Sequence, residues 1–254
     1  MSLEFEQFKA GRMATSSDIT VIADSPGRLN RAVVPRQRYA RPKVAVDTVL
    51  FAIDGGQVKC YLVRLKGGPA AGRWAFPGGQ VRKGEMLDEA ARRELRQSTG
   101  LNHCYLEQLF SFGDPNRDPK AHVVSVAYMA LIDRLSAVHS CSRKYANGQW
   151  FEVASLPGLA YDHAEIAEYA VRRLKSKLEY TNIACNLLPP SFTFAQIEEL
   201  YGIVLGRPLD RRNFRRRIMA MNLLNRLALE RRGKHRPAAL YSFQQRSLQV
   251  IEML

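Results

Sequence analysis

The sequence has 254 residues, 46% of them hydrophobic and 24% charged, a composition typical of a globular protein with enough apolar side chains for two domains. Lysine and arginine outnumber the acidic residues by 38 to 24, and the net charge of +14 favours polyanionic partners: nucleic acid, anionic lipid or phosphorylated ligands. The longest apolar run, residues 44–53, contains Asp47 and is too short to span a membrane, so no membrane partner is expected.

The cysteine pattern and the N-terminus indicate a cytoplasmic protein. The four cysteines are Cys60, Cys104, Cys141 and Cys185. They are widely separated and form no CxxC pair, so neither a zinc site nor a disulfide framework is predicted. The chain does not begin with a basic segment followed by an apolar one, and no signal peptide is predicted.

Residues 1–42 mix Ser, Gly, Pro and Arg without a period, and we interpret them as an N-terminal tail or arm. Residues 43–187 show the alternating pattern of a domain with strands and helices. Strands are predicted at residues 44–53, 58–65, 105–112, 122–132 and 149–153. Helices are predicted at residues 86–98 and 162–178, the second with Asp162 as its N-cap, and residues 66–79 and 113–119 are predicted to be loops.

A Leu188-Pro189-Pro190-Ser191 break marks the start of a further domain, residues 188–254. Two helices are predicted at residues 192–205 and 211–221, the second with Asp210 as its N-cap. Two strand-like runs follow at residues 227–231 and 239–243. Two helices joined by a short turn and followed by a hairpin are typical of a winged helix-turn-helix domain.

Residues 79–101 carry a motif at fixed spacing. Its members are Gly79, Glu85, Arg93, Glu94, Leu95, Gly100 and Leu101. This spacing matches the Nudix signature, in which a glycine, a glutamate and an Arg-Glu pair precede two further glutamates and a glycine. The preceding residues 73–79, RWAFPGG, also resemble that family. The resemblance implies an α+β fold: a Nudix α/β/α sandwich domain, followed here by a C-terminal winged helix-turn-helix domain.

The motif departs from the family where the metal ligands should be. Gln97 and Ser98 replace the paired glutamates, and these positions share one helix face with Glu94. Nudix hydrolysis uses Mg²⁺ or Mn²⁺, and such hard cations require charged oxygen ligands. We therefore predict no catalytic residues, no metal site, no required cofactor and little or no hydrolysis.

The remaining residues of the motif are predicted to form a pocket that binds an effector containing a diphosphate. The candidate effector-binding residues are Arg73, Trp74, Gly78, Gly79, Glu85, Arg93, Glu94 and Arg117. Two alternatives remain open at this point. For Arg93 and Glu85, the alternative is an internal ion pair, which does not exclude a ligand. For Trp74, the alternative is a position in the core.

Residues 207–236 hold ten arginines and one lysine against two acidic residues, a net charge of +9 and well over half of the total. The candidate DNA-binding residues are Arg211, Arg212, Asn213, Arg215, Arg216 and Arg217 of the second helix, and Lys234, His235 and Arg236 of the hairpin tip. We expect about half of these arginines to contact DNA, mostly its backbone. A helical dimerisation module and a membrane-surface patch are the alternatives.

A degenerate Nudix domain followed by a winged helix resembles the NrtR family of Nudix-related transcriptional regulators. Residues 192–218 and the loop at residues 112–120, FGDPNRDPK, are especially similar to that family. The resemblance implies a homodimer that binds a palindromic double-stranded DNA operator and typically represses genes of NAD metabolism. It implies release by ADP-ribose or a related NAD-derived nucleotide, although some relatives regulate sugar catabolism.

Two hypotheses from other classes remain. An active ADP-ribose pyrophosphatase with an accessory DNA-binding domain would need another set of carboxylate ligands, such as Glu85, Glu89 and Glu94. A general nucleic-acid-binding or RNA-binding module would bind unrelated duplexes and single strands equally well.

Overall fold

The computed structural model describes residues 41–135, 138, 144–231 and 237–251. The predicted tail, apart from its last two residues, lies outside these ranges. So do Cys141 and the hairpin-tip candidates Lys234, His235 and Arg236. Cys60, Cys104 and Cys185, the cysteines within the described ranges, are free thiols.

The elements follow in chain order. The strands are β1 Lys43–Asp54, β2 Gln57–Leu65, β3 Trp74–Ala75, β4 Gly78–Gln80, β5 Tyr105–Phe112, β6 Val123–Leu131, β7 Tyr145–Glu152, β8 Phe192–Thr193, β9 Leu224–Arg231 and β10 Ala238–Phe243. The helices are α1 Leu87–Thr99, α2 His163–Tyr180, α3 Phe194–Leu205 and α4 Arg211–Ala220. Short 3₁₀ turns lie at Val153–Ser155 and Ile183–Asn186.

The larger sheet is built around β1 and has the strand order β3-β2-β1-β6-β5. β1 pairs parallel with β6 and antiparallel with β2, to which it is joined by a tight turn in which Gly55 and Gly56 both have positive φ. That conformation is readily available only to glycine, so the turn signal in the sequence has a direct structural cause. β4 also pairs with β1, and β7 pairs with β2.

Successive residues of β1 face opposite sides of this sheet, as the pleat requires. Val49 and Phe51 belong to the hydrophobic cluster that includes α2, whereas Leu50 and Ala52 pack in a cluster with Leu95 of α1. The sheet therefore lies between the two helices, and the expected α/β/α sandwich is confirmed.

The winged helix is built from α3, α4 and a small sheet of strand order β8-β10-β9. Its core is continuous with that of the larger sheet. One hydrophobic cluster runs from the sheet through Ile166 and Leu174 of α2 to Ile197 and Leu200 of α3. α2 thus packs against both parts of the chain and joins their cores. Within the described residues, no helix is long and apolar enough to cross a membrane.

Several local expectations are wrong in detail. Residues 66–79 were expected to be one loop but contain β3 and β4, because these two short strands pair with β2 and β1, a contact that no local pattern reveals. β7 begins at Tyr145, before the expected residue 149, and β9 begins at Leu224, before residue 227. Phe192 and Thr193, expected to be helical, form β8, and Thr193 is the N-cap of α3.

Asp162 is also at the expected N-cap position, of α2, but its side chain makes no capping hydrogen bond. Both of its carboxylate oxygens instead accept hydrogen bonds from Arg117, at 2.7 and 2.6 Å. A charged, bidentate partner is stronger than the neutral backbone N–H groups of a helix end, so the guanidinium prevails.

Candidate effector pocket and nucleic-acid interface

β4 and α1 form the segment that resembles the Nudix signature. Close packing against its first residues allows only glycine there. A Cβ atom on Gly78 would lie 2.5 Å from the carbonyl oxygen of Val46 and would overlap the carboxylate of Asp47. Glycine is therefore required here by the approach of β1. After α1, Gly100 adopts a left-handed conformation with φ 76° and donates its N–H to Arg96, which ends the helix as expected.

Arg93 lies at the centre of a charge network on α1. Its Nε contacts Glu85 Oε1 at 2.5 Å, its Nη2 donates to Glu85 Oε2 at 2.8 Å, and its Nη1 contacts Glu94 Oε1 at 2.5 Å. The hydrogen bond from Arg93 lowers the pKa of Glu85 to about 2. The same partners raise the pKa of Arg93, led by the hydrogen bond to Glu85. The internal ion pair between Arg93 and Glu85 is therefore present.

Lys144, just before β7, and Tyr145, its first residue, contact Gly78 in the same site. Lys144 Nζ lies 2.7 Å from Glu94 Oε2 and also donates to the carbonyl oxygen of Gly78. The Tyr145 hydroxyl donates to the same carbonyl at 2.9 Å and accepts from the Gly78 N–H at 3.2 Å. The carboxylate of Glu94, only 5% exposed, is thus held between two cations, Arg93 and Lys144.

A second buried network surrounds Asp47 of β1. Asp47 on β1 accepts a hydrogen bond from Ser125 Oγ at 2.5 Å, and its carboxylate lies 3.6 Å from His163 Nε2 and 3.7 Å from Arg117 Nη2. His163 Nδ1 accepts from the Phe76 N–H at 3.0 Å, which places the ring proton on Nε2, toward Asp47. Burial lowers the pKa of His163, so the imidazole is neutral near pH 7.

The second network and the residues at the start of β7 line a cavity of about 210 Å³, whose wall includes Gly78, Gly79, Lys144 and Arg117. A larger cleft of about 610 Å³ adjoins it and shares Arg117 and Tyr161 with it. The cleft is lined by Arg73, by Phe110 and Phe112 of β5 and by the loop that follows β5. A small polar cavity beside a wide cleft with aromatic rings suits a phosphate group attached to a nucleoside.

The face of α4 turned away from its core is almost entirely cationic. Phe214 and Ile218 are buried against the rest of the winged helix, whereas all six α4 candidates are exposed: Arg211, Arg212, Asn213, Arg215, Arg216 and Arg217. The Asp210 carboxylate accepts from the N–H groups of Arg212 and Asn213, both at 3.1 Å, and so caps the helix as predicted. The hydrophobic period thus divides this helix into an anchored side and a basic side.

Two of these candidates have specific partners on the same surface. The Arg215 guanidinium lies 4.5 Å from the centre of the Phe194 ring and 3.5 Å from the Tyr241 hydroxyl, so its position is fixed by α3 and β10. Arg216 Nη2 donates to Asn213 Oδ1 at 2.8 Å, which orients the amide. Both side chains are therefore partly ordered before any ligand arrives.

Comparison with known proteins gives matches to both halves of the chain. The NUDIX domain model matches residues 41–174, and the model of the NrtR DNA-binding winged helix domain matches residues 184–243. The chain is 34% identical over 209 residues to the ADPR responsive transcriptional repressor NtrR of Acinetobacter baylyi, a match that covers 81% of this chain and 83% of that protein. The chain belongs to the NrtR family.

Two solved structures of Shewanella oneidensis NrtR resemble this NrtR-family chain. The crystal structure complexed with a 27mer DNA has a TM-score of 0.72 and 32% identity, and the match covers 79% of this chain and 93% of that one. The cocrystal structure of the NUDIX domain complexed with ADP ribose has a TM-score of 0.50 and 31% identity, with 54% and 90% of the chains covered.

The Nudix fold of the NrtR-family chain implies a divalent cation on α1, but the donor set does not fit one. Ser98 is buried, and its hydroxyl donates to the carbonyl oxygens of Glu94 and Leu95 at 3.0 and 2.9 Å. Gln97 is exposed and uncharged, and Glu94 is already paired with two cations. In the described part of the chain, no cluster of His, Cys, Asp or Glu has the geometry of a metal site.

The structure brings most of the sequence-predicted pocket residues together. Gly78, Gly79, Glu85, Arg93 and Glu94 lie along α1 and its approach. Arg73 and Arg117 line the adjacent cleft, and Arg73 also donates to the carbonyl of Leu159.

Trp74 lies apart from them, since its ring packs edge-on to Phe151 at 4.8 Å and joins the hydrophobic core. It is therefore the one predicted pocket residue that the described structure places in a packing role. Its indole was a pocket candidate only because it stands next to the motif in the sequence.

Sequence reasoning missed Lys144, Asp47 and His163. No local signal marks Lys144 or His163, because each reaches the site from a part of the chain that is distant in the sequence. The presence of Asp47 within an otherwise apolar strand was the one available clue, since a buried charge is retained only with a partner.

Proposed function

We propose that this protein is a transcriptional repressor that binds a palindromic operator as a homodimer and senses ADP-ribose, or a related NAD-derived nucleotide, in its Nudix pocket. The effector releases the DNA, and the regulated genes belong to NAD metabolism. On this proposal residues 43–187 form the effector-binding domain and residues 188–254 the DNA-binding domain. The protein acts in the cytoplasm, at the nucleoid.

The observation that carries this proposal is the basic face of α4. A helix that buries only Phe214 and Ile218 and exposes five arginines is suited to the major groove, where guanidinium groups pair with phosphates and guanine edges. A membrane-surface helix would instead expose a broad apolar face. The match to the NrtR DNA-binding winged helix domain, residues 184–243, includes this helix, which supports the same use here.

Coupling between pocket and DNA is assigned to α2. Its first residue, His163, and its N-cap, Asp162, belong to the buried network beside the cavity. Leu174 and Leu178, near its other end, belong to the core that includes α3. An effector that draws Arg117 away from Asp162 changes the restraint on one end of α2 and thereby shifts the winged helix. Such coupling is typically worth about 1–3 kcal/mol.

The DNA-binding step is tested with a duplex that the protein itself selects from a random library. Arg212→Ala is expected to weaken binding and to reduce the slope of log affinity against log salt by about one for each phosphate that is no longer neutralised. Arg96→Ala removes the same charge from the exposed side of α1 and serves as the matched control. Equal affinity of wild type and Arg212→Ala, with identical salt slopes, would contradict the assignment of α4.

The effector step is tested by adding ADP-ribose to the preformed complex of the full-length protein with this duplex. Release of DNA is expected, with about a 5- to 150-fold rise in the dissociation constant at saturation. AMP and ribose 5-phosphate, each of which carries a single phosphate, are the comparison ligands. Unchanged DNA affinity at saturating ADP-ribose would remove the sensing part of the proposal while leaving DNA binding intact.

A hydrolase is the second candidate, because the NUDIX match covers residues 41–174, most of the first domain. We propose that hydrolysis is absent, since Gln97 and Ser98 supply neither charge nor free oxygen ligands. The decisive assay follows AMP release from ADP-ribose with Mg²⁺ or Mn²⁺. Turnover of about 1 s⁻¹ or more, the lower end for ordinary enzymes, would make the protein an enzyme.

A further inference from the structure

Lys144 balances the charge of Glu94 in the site formed by β4 and α1. Its ammonium group contacts two oxygens at once, Glu94 Oε2 and the carbonyl of Gly78. A carboxylate and a backbone carbonyl are the kinds of oxygen that a hard divalent cation takes as ligands. Lys144 also lines the small cavity together with both glycines, so the ammonium group borders the space open to a ligand.

The charges support the same conclusion. In the ordinary Nudix signature, two further glutamates on this helix are balanced by a divalent cation. Here those positions are the neutral Gln97 and Ser98, and Lys144 adds a positive charge to the same site. The chain therefore balances the charge of Glu94 without a metal ion, and a phosphate group that enters the cavity meets a cation that is part of the protein.

The position of Lys144 depends on the absence of a side chain at Gly79. A Cβ atom there would lie 2.6 Å from Lys144 Nζ and would overlap the Glu94 carboxylate. The hydroxyl of the next residue, Tyr145, forms hydrogen bonds with both the N–H and the carbonyl of Gly78. The ammonium group is thus held at Glu94 and Gly78 by these contacts, although its side chain is 44% exposed.

We infer that the Lys144 ammonium takes the place of the divalent cation in this Nudix site, and that the pocket binds a nucleoside diphosphate without a metal ion. Lys144 contacts the diphosphate, and Arg93 holds the Glu94 carboxylate in place beside the lysine. This inference rests on the effector role proposed above. It adds the residue that carries the binding and the prediction that divalent ions are dispensable.

The experiment measures ADP-ribose binding to the full-length protein by calorimetry, once in EDTA and once in Mg²⁺. We expect the two affinities to agree within about twofold, because no ion enters the site. Lys144→Met is expected to weaken binding in EDTA by about tenfold or more, the effect of losing a hydrogen bond to a charged group. Lys144→Arg is expected to keep part of the affinity, and Lys83→Met, at an exposed position beside the same loop, is the matched control.

A second variant tests the exchange of cations directly. Lys144→Ser combined with Gln97→Glu returns a carboxylate and removes the ammonium group, and ADP-ribose binding is expected to become dependent on Mg²⁺. Titration of Mn²⁺ alone, followed by electron paramagnetic resonance, is expected to show binding to this variant and not to the wild type. Circular dichroism verifies that each variant is folded.

The outcomes separate the two proposals. Wild-type binding that requires Mg²⁺, or a Lys144→Met variant as tight as Lys83→Met, overturns the inference and leaves the effector role standing. Absence of ADP-ribose binding in both EDTA and Mg²⁺ overturns the effector role itself, and the inference with it. Equal binding in both conditions, lost in Lys144→Met alone, supports both.

Discussion

Replacing Arg117 with Met is expected to destabilise the protein strongly, because the guanidinium joins two carboxylates inside the fold. It makes a bidentate pair with Asp162 at 2.6 and 2.7 Å and lies 3.7 Å from Asp47. The side chains of Arg117, Asp162 and Asp47 are only 5%, 13% and 12% exposed. Methionine fills a similar volume but leaves both acids without this cation.

The magnitude follows from the burial of the pair. Removing one partner of a buried ion pair costs about 3–5 kcal/mol, and the residual exposure of Asp162 favours the lower end. At about 2–4 °C per kcal/mol for a chain of this size, the Tm is expected to fall by about 6–12 °C. The double variant Arg117→Met with Asp162→Asn is expected to recover part of this loss, since the uncompensated carboxylate is gone.

Differential scanning calorimetry of the full chain measures the effect. The control is Arg134→Met, because Arg134 is 70% exposed and lies 3.7 Å from Asp133, a surface pair worth about 0–1 kcal/mol. A Tm of Arg117→Met within about 2 °C of wild type, the shift expected from such a surface pair, would refute the reasoning. So would a double variant that is no more stable than the single one.

The further predictions concern residues of the pocket and of the core. Burial lowers the pKa of His163 below 6.5. The stabilising contribution of the neutral imidazole is therefore complete above pH 6.5 and is lost as the pH falls toward the lower folded-state pKa. Between pH 7.5 and 5.5, the Tm of His163→Gln should fall less steeply than that of the wild type. Gly79→Ala is expected to weaken ADP-ribose binding in calorimetry, whereas Gly158→Ala, where a Cβ meets nothing within 4 Å, should bind normally. The buried Tyr201 hydroxyl has no hydrogen-bond partner among the described residues, so Tyr201→Phe should leave the Tm unchanged or raise it; Tyr145→Phe, which removes two hydrogen bonds, should lower stability by about 1 kcal/mol or more in urea unfolding.

The elements that the sequence predicted well are those marked by local chemistry. The bounds predicted for β5, residues 105–112, agree with the structure, and α1 and β6 agree within one residue at each end. Gly100 and the Asp54-Gly55-Gly56 turn require conformations that few residues adopt, so the sequence marks them directly. The division of α4 into basic and buried faces follows from the positions of Phe214 and Ile218 in a run of arginines.

What the sequence could not predict depends on pairing between distant segments. β3 and β4 are too short to show a period, and they exist because β2 and β1 offer free edges to them. Lys144 approaches Glu94 only because β7 pairs with β2 and begins near the glycines. The Arg93–Glu85 pair was foreseeable from its spacing, but the second cation on Glu94 was not.

The apolar seam along α2 also limits how such a regulator can be re-engineered. In a chimera joined at the Pro189-Pro190 break, the sensor domain with α2 would come from one protein and the winged helix with α3 from another. Leu174 and Leu178 of α2 would then face an α3 against which they do not pack. Each mismatched side chain of this kind costs about 2–5 kcal/mol, enough to unfold a protein of ordinary stability when two or more are affected. Transplanting α2 together with the winged helix would instead break its contacts with the sheet. New ligand specificity in this scaffold is therefore reached by changing residues of the pocket wall, with the helix and both of its neighbours left as one unit.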